Sequence, residues 1–441
     1  MAETVIVKIE KLVYGGDGLG RLPDGRAVFV PFVLPGELVQ IELVEEKQRY
    51  ARGLPVNWIE TSPDRISPRC AHFGECGGCQ YQHLDYAKQL SLKEAILQDQ
   101  FQRIAKIENP PLQPIVPSPN PWNYRNYVQF HLGQQGEIGY VHVDGEHLLP
   151  ITECHLPMGE INQLWPQIEL GAESGVYRLG VRQDSYDAIM LIMEGEDPVA
   201  PDFSEDIPVS AVYTPPDARL TVLAGEDALT FEVLDRTFQV SARSFFQVNT
   251  PIAEKMIRHL VENLSLTPQT RALELYAGVG LFSAFIASQV EHLTAIESSG
   301  SACHDFATNL DDFENVTLYE AEVEEVVPAL DFAPDVLILD PPRAGLSPAV
   351  HDAITRLNPE HIAYISCDPA TLARDIKKIT HNSYHLVSVT PFDMFPQTAH
   401  VETVVFLEKI ENLSMILAKR ITGRDQDILF PQCLITQSPK S

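Results

Sequence analysis

Apolar and polar residues alternate in three short runs near the start of the chain, TVIVKIEKLV, RAVFVPFV and LVQIELVEE, separated by the turn sequences YGGDGLG and LPDG. A period of two punctuated by glycine turns predicts half-buried strands, so residues 1–62 are expected to form a small β-barrel. ETSPDRISPRC then breaks the pattern with two prolines and places a boundary near residue 63. Apolar positions at helical spacing follow over 84–107, and the proline-rich ENPPLQPIVPSPNPW stops that helix. The helix is free to pack on a later domain. Strand-like runs such as NYVQFHLG, EIGYVHV, SYDAIMLIM and LTFEVLD continue to about 245 and predict a mostly β central domain over 63–245. Beyond it the period changes. RALELYAGVGLFSAFIASQV reads as strand, glycine turn and helix, and HLTAIE, DVLILD, HIAYISC, YHLVSVT and VETVVFLEK read as further strands. Such alternation predicts an α/β, Rossmann-like domain over 246–410, whose ligands sit at the carboxyl ends of parallel strands. Residues 411–441 have no place in that sheet and form a tail without an assigned role.

A chain of 441 residues is long enough for two or three cores. No apolar run reaches the ~18 residues of a membrane helix, so no membrane partner is expected. The start, MAETVIVKIEKLVYGG, lacks the basic stretch and apolar core of a secretory signal, which points to a cytoplasmic protein. Seven cysteines in such a chain argue against a disulfide framework and leave metal binding, catalysis or burial. The net charge of −29 weighs against nucleic-acid binding, since phosphate contacts depend on Lys and Arg. Acidic residues crowd 194–208 and 320–327, however, while Arg49, Arg52, Arg125, Arg374, Lys377 and Lys378 leave room for a local basic face.

Four stretches carry candidate chemistry. ELYAGVG, Glu274 to Gly280, puts glycines where a first strand gives way to a helix, and Glu297 ends the next strand where an acid would bond ribose hydroxyls. The turn lacks the G-x-G-x-x-G spacing of a pyrophosphate cradle, which favours an adenosine ligand without phosphate, such as S-adenosylmethionine. Asp340 ends another strand and is followed by two rigid prolines, either to hold a planar substrate or simply to cap a turn. Cys367, in YISCDPATLARD, lies at a strand end, with Asp368 and Pro369 suited to cap and start a helix whose dipole favours a thiolate. The Asp368 carboxylate opposes this unless capping occupies it. Cys70, Cys76 and Cys79 form a C-x5-C-x2-C pattern, and Cys154 is a candidate fourth ligand, with His72, His83 and His155 as rivals. Four sulfurs suit either a [4Fe-4S] cluster or tetrahedral zinc.

FFQVNT (245–250), ELYAGVGLFS (274–283), DPPRAGL (340–346), YISCDPATLARD and FPQTAHVETV (395–404) together resemble the RNA uracil-5 methyltransferase family, in the family's order. The first module resembles its RNA-binding TRAM domain, an OB-like barrel, and the cysteine segment resembles the iron-sulfur site of the ribosomal RNA branch. The resemblance implies a class I S-adenosylmethionine methyltransferase domain. It also implies donor contacts from Gln247, Tyr276, Glu297 and Asp340, a [4Fe-4S] cluster on Cys70, Cys76, Cys79 and Cys154, Cys367 as nucleophile and Glu402 as base. Leu281 departs from the polar residue some members carry after the second glycine. His400 is the rival base, since imidazole titrates near neutral pH.

Uracil chemistry agrees with this set. Carbon 5 is too weak a nucleophile to take a methyl group unaided. Attack of a thiolate on carbon 6 makes an enolate, and a base must later remove the proton on carbon 5. The expected enzyme is a monomer that methylates a flipped-out uridine of 23S ribosomal RNA, with Arg125 or Arg343 on phosphates. A transfer RNA methyltransferase and a non-catalytic RNA-binding or chaperone protein are the alternatives.

Overall fold

The computed structural model describes residues 4–171, 174–203, 208–216 and 219–410, so the tail 411–441 lies outside the described residues. The alternating runs at the start form a closed five-stranded barrel: β1 (Thr4–Leu12), β2 (Gly18–Arg21), β3 (Ala27–Val30), β4 (Leu38–Glu46) and β5 (Tyr50–Glu60), in the order β1-β2-β3-β5-β4. Every second side chain, among them Val7, Ile9, Val28, Val30, Val39 and Ile41, points inward and fills it. A loop carrying Cys70, Cys76 and Cys79 leads from β5 to α1 (Tyr86–Gln100), capped by Asp85 and extended by one π-helical turn over Phe101–Ala105. Leu97, Phe101 and Ala105 pack into a core with Leu372, Ala373 and Ile376, residues of the later α/β part.

The central part is a seven-stranded sheet made of β6 (Tyr127–Leu132), β7 (Ile138–Val141), β8 (Leu148–Pro150), β9 (Val176–Gln183), β10 (Ile189–Gly195), β11 (Ser210–Thr214) and β12 (Thr221–Ala224). Its order is β12-β11-β10-β9-β6-β7-β8, and only β10 and β11 run parallel within it. Helix α2 (Gly159–Leu164) and Trp165 cover one face, where Phe130 and Leu179 are fully buried. A hairpin follows, β13 (Ala228–Val233) with β14 (Arg236–Ser241). Its Phe231 and Phe238 share a core with Met256 and Ile257 of α3 (Thr250–Asn263), and that core continues into the last sheet.

That sheet contains β15 (Arg271–Leu275), β16 (His292–Glu297), β17 (Val316–Glu320), β18 (Val336–Leu339), β19 (His361–Ser366), β20 (Tyr384–Phe392) and β21 (Glu402–Lys409). The order is β17-β16-β15-β18-β19-β21-β20, with β21 antiparallel to both neighbours and the rest parallel. Helices α4 (Ser283–Ile286), α5 (Gly300–Asn309), α6 (Val323–Val326), α7 (Pro348–Leu357) and α8 (Pro369–Asn382) form the connections. The strands read as near-continuous apolar runs because helices bury both faces. Strand order reverses between β15 and β18, which opens a crevice at their carboxyl ends. Among the described residues no helix is long and apolar enough to cross a membrane.

Candidate active site

Two groups of residues meet at this crevice. One is the turn after β15. Tyr276, Gly278 and Gly280 all have positive φ, at 65°, 57° and 85°. The turn is tied to the next strand by Tyr276 and Ala277 N–H groups donating to the Ile296 carbonyl at 3.0 and 3.1 Å. Glu297 organises what lies beyond: Gly278 N–H donates to its Oε2 at 2.8 Å, and the N–H groups of Ser298 and Ser299 donate to Oε1 at 2.8 Å each. The two glycines have different tasks. A Cβ on Gly280 would run into Leu310 and Phe306, whereas one on Gly278 would meet nothing within 4 Å. Glu274, fully buried beneath the turn, accepts a hydrogen bond from Ser283, yet burial pushes its carboxyl up to about 8. Gln247 is buried beside this region, its carbonyl accepting from Asn126 Nδ2 at 3.0 Å, and the nearby Ser244 hydroxyl bonds that of Ser301 at 2.9 Å.

The second group surrounds Cys367. Pairing of β19 with β21 ends at Ser366 opposite Thr403, so the next position on each strand brings Cys367 and Glu402 side by side. Burial pushes the Cys367 thiol up to about 11, Glu402 adds to this, and the Arg343 cation works against it. The Glu402 carboxyl is pushed up to about 8 by burial and by Asp340, with Arg343 again opposing. Asp340 is pushed up to about 7 by burial and by Glu297. Asp340 therefore feels Glu297 of the first group and acts on Cys367 and Glu402 of the second. His400 is held down at about 4 by burial and by Arg343, Lys93 and Arg125, and its Nδ1 is buried without a partner.

Asp368 caps α8 as its place in the sequence predicts, accepting the Thr371 N–H at 2.8 Å. Its other oxygen accepts from the Tyr14 hydroxyl at 2.7 Å, a contact across 354 positions. The loop before Glu402 is clamped from several directions. Lys93 and Asp393 form a fully buried ion pair at 2.6 Å, Gln89 and Gln397 exchange hydrogen bonds of 2.9 and 3.0 Å, and Ala399 N–H donates to Gln80 Oε1 at 3.1 Å. Tyr124 and Asn249 bond the carbonyls of Pro396 and Met394. None of these clamps announces itself in the sequence. Tyr14 lies in YGGDGLG, whose glycines signal a turn and say nothing of what the turn touches. Arg343, expected on phosphates, follows the Pro-Pro pair directly, and its charge bears on the Cys367 thiol and on Glu402.

Cys70, Cys76, Cys79 and Cys154 all line one cavity of about 120 Å³, together with His72, His155, Arg125 and Tyr140. His83, buried with neither ring nitrogen bonded, is not among the lining residues. Burial pushes the Cys76 thiol up to about 11 and that of Cys79 up to about 12, and Cys154 adds to both. Among the described residues no three His, Cys, Asp or Glu side chains are gathered about one point so as to hold a single metal ion. Arg125 lies over the rings of Tyr124 and Phe395, between this cavity and the loop before Glu402.

Residues 225–410 match the tRNA (uracil-5-)-methyltransferase family and residues 2–56 match the TRAM domain. An uncharacterized RNA methyltransferase of Thermosynechococcus vestitus is 34% identical over 439 residues, covering 92% of this chain and 98% of its own. Another, from Halalkalibacterium halodurans, is 33% identical over 446 residues, with 92% and 97% covered. Among solved structures, the Pyrococcus abyssi tRNA (uracil-54, C5)-methyltransferase in complex with S-adenosyl-L-homocysteine is similar at a TM-score of 0.69 and 25% identity, covering 91% of this chain and 100% of that one.

Proposed function

Since the chain belongs to the RNA uracil-5 methyltransferase family, whose members use S-adenosylmethionine, we propose that it methylates carbon 5 of a uridine in 23S ribosomal RNA through Cys367 and Glu402. The observation that carries this reading is the β19–β21 register, which sets a thiol and a carboxyl side by side next to Asp340 and Arg343.

In this mechanism Cys367 gives up its proton to solvent and its Sγ, as the thiolate, bonds to carbon 6 of the flipped uracil, while the electrons of the ring double bond move to the carbon 4 carbonyl. S-adenosylmethionine, when bound, would supply the methyl group that carbon 5 takes from its sulfonium, with S-adenosylhomocysteine as the leaving group. Glu402 removes the proton from carbon 5, the double bond re-forms and Sγ leaves. A carboxyl near 8 is matched to this task, because a base works best with a pKa close to the operating pH. Neutral His400, near 4, is much the weaker base. Arg343 supports the thiolate and the enolate as a nearby cation. The donor fits the turn after β15. Gly278, whose Cβ position is open, would give it room, and Glu297 would offer carboxylate oxygens to its ribose, with Tyr276, Gln247 and Asp340 as the further contacts that the resemblance implies.

The resemblance favours a [4Fe-4S] cluster over zinc, and Cys70, Cys76, Cys79 and Cys154 line a single cavity that would hold it. The group would cross-link the cysteine loop to the segment after β8 and hold Arg125 beside the acceptor loop, residues 393–400 before Glu402. Anaerobically purified protein should contain iron and sulfide in equal amounts; zinc without sulfide overturns the cluster.

Ribosomal RNA is favoured because the barrel and the cysteine segment resemble that branch. A transfer RNA substrate is the second reading, supported by the likeness to the Pyrococcus abyssi enzyme along nearly all of both chains. Mapping 5-methyluridine in total RNA from a strain lacking the protein separates them. Loss confined to 23S RNA supports the first reading, loss confined to tRNA the second, and no loss in either overturns both.

A further inference from the structure

The loop between β1 and β2 turns at Gly15 and Gly16, both with φ of 97°, and carries Tyr14 out of the barrel to the head of α8. This placement is anchored from behind. Tyr14 packs on a cluster of Leu12, Leu34, Tyr81, Leu84, Ile96 and Ala399, which joins the barrel to α1 and to the acceptor loop. Gly16 lies so close to Gln80 that a Cβ there would come within 2.8 Å of it. Asp368 accordingly has a donor on each oxygen, the Thr371 N–H on Oδ1 and the Tyr14 hydroxyl on Oδ2.

We infer that Tyr14 is a positioning residue for the nucleophile: its hydroxyl locks the Asp368 carboxylate away from Cys367, so the barrel sets the reactivity of the thiol even when no RNA is bound. This rests on the assignment of Cys367 as nucleophile. A carboxylate held by two donors spreads its charge into those bonds and cannot rotate toward the adjacent thiol. Freed of one donor, it can turn and oppose ionisation. Tyr14 is a dependable donor, because burial and Asp368 raise its hydroxyl far above the usual range and it keeps its proton. The other charged groups that bear on the thiol are Asp340 and Arg343 after β18 and Glu402 at the head of β21; Arg374 and His400 bear on Asp368.

The test is the pH dependence of Cys367 alkylation by iodoacetamide in the full-length protein without RNA, followed by mass spectrometry of the peptide that carries Cys367. Tyr14→Phe keeps the ring and removes the hydroxyl. It should raise the apparent thiol pKa by about half a unit and slow alkylation at pH 8 about threefold, while affinity for RNA stays unchanged. Asp368→Asn retains a good cap and should lower the apparent pKa. In that background Tyr14→Phe should have no further effect. A Tyr14→Phe protein with the wild-type alkylation profile overturns the inference, as does an equal shift in the Asp368→Asn background. Failure of the underlying assignment is seen separately, as methyl transfer that survives Cys367→Ala.

Discussion

The turn that would hold the methyl donor and the wall that would hold the uracil face each other across one crevice, but they are assembled from very different lengths of chain. The donor turn needs residues 274–280 and 297–299, two adjacent parallel strands and one carboxylate that gathers three main-chain N–H groups. The wall around Cys367 needs Tyr14 from the barrel, Gln80 from the cysteine loop, Gln89 and Lys93 from α1, and Asn249 ahead of α3. A locally encoded site survives damage elsewhere. One assembled by docking reports on whether every part is in place, which suits an enzyme that should act only on a correctly seated RNA.

The sharpest separation of the two regions is Cys367→Ala. Methyl transfer should fall by on the order of 10⁴ or more, while calorimetric binding of S-adenosylhomocysteine stays as in the wild type. A parallel loss of donor binding would mean that the regions are not independent. Glu402→Gln comes next, with turnover down by roughly 10² to 10⁴. Because addition and methylation precede the step it blocks, a denaturation-stable protein–RNA adduct should accumulate on a gel. An inactive variant without adduct would remove Glu402 from the base role.

Lys93→Met tests whether the wall is held from α1. It leaves Asp393 buried and uncompensated, for which about 3–5 kcal/mol of stability is expected to be lost. Lys93→Met with Asp393→Asn should recover part of it. Urea denaturation checks both. If the single variant is as stable as the wild type, the acceptor loop does not depend on this pair.

The same contrast explains what could be read from the sequence. The donor turn was legible because its geometry follows from residues close together, glycines at positive φ and an acid about twenty positions on. Cys367 and its capped helix were legible for the same reason, and Asp368 indeed caps α8. The barrel and the α/β sheet follow from hydrophobic period alone. The clamps were not legible. Tyr14, Lys93 and Gln89 occupy positions that any turn or amphipathic helix permits, and the fold alone brings them to the loop at 393–400. The ionisation of Cys367 was not legible, because it depends on burial and on Glu402, which raise the thiol to about 11 and which the local sequence around the capped helix does not reveal.

The two glycines of the donor turn give a smaller but cleaner split within one motif. Gly280→Ala should cost about 2–4 kcal/mol of stability, from left-handed strain plus collision with Leu310 and Phe306. Gly278→Ala should cost only the strain, about 1–2 kcal/mol, and weaken S-adenosylhomocysteine binding about tenfold, the equivalent of 1.4 kcal/mol. Thermal melts and calorimetry on both variants check this, and interchange of the two effects would mean that the donor occupies the other face of the turn.

A last effect is one of pH, and its sign follows from Glu402. Its carboxyl is raised to about 8, so it carries a proton below that pH and cannot take another. With labelled RNA in which tritium replaces the hydrogen on carbon 5, single-turnover release should therefore climb from pH 6.5 to 8 by up to about tenfold per unit, then level off. The same protonation favours the fold at lower pH: the native state holds a proton that the unfolded chain has lost, so this group's contribution to stability declines as pH rises from about 4.5 through 8. Activity and stability should thus move in opposite directions across neutral pH, and Glu402→Gln should flatten that part of the stability curve. Tritium release that is flat from pH 6.5 to 9 would show that carbon 5 loses its proton to a group that titrates elsewhere, with His400 first in line.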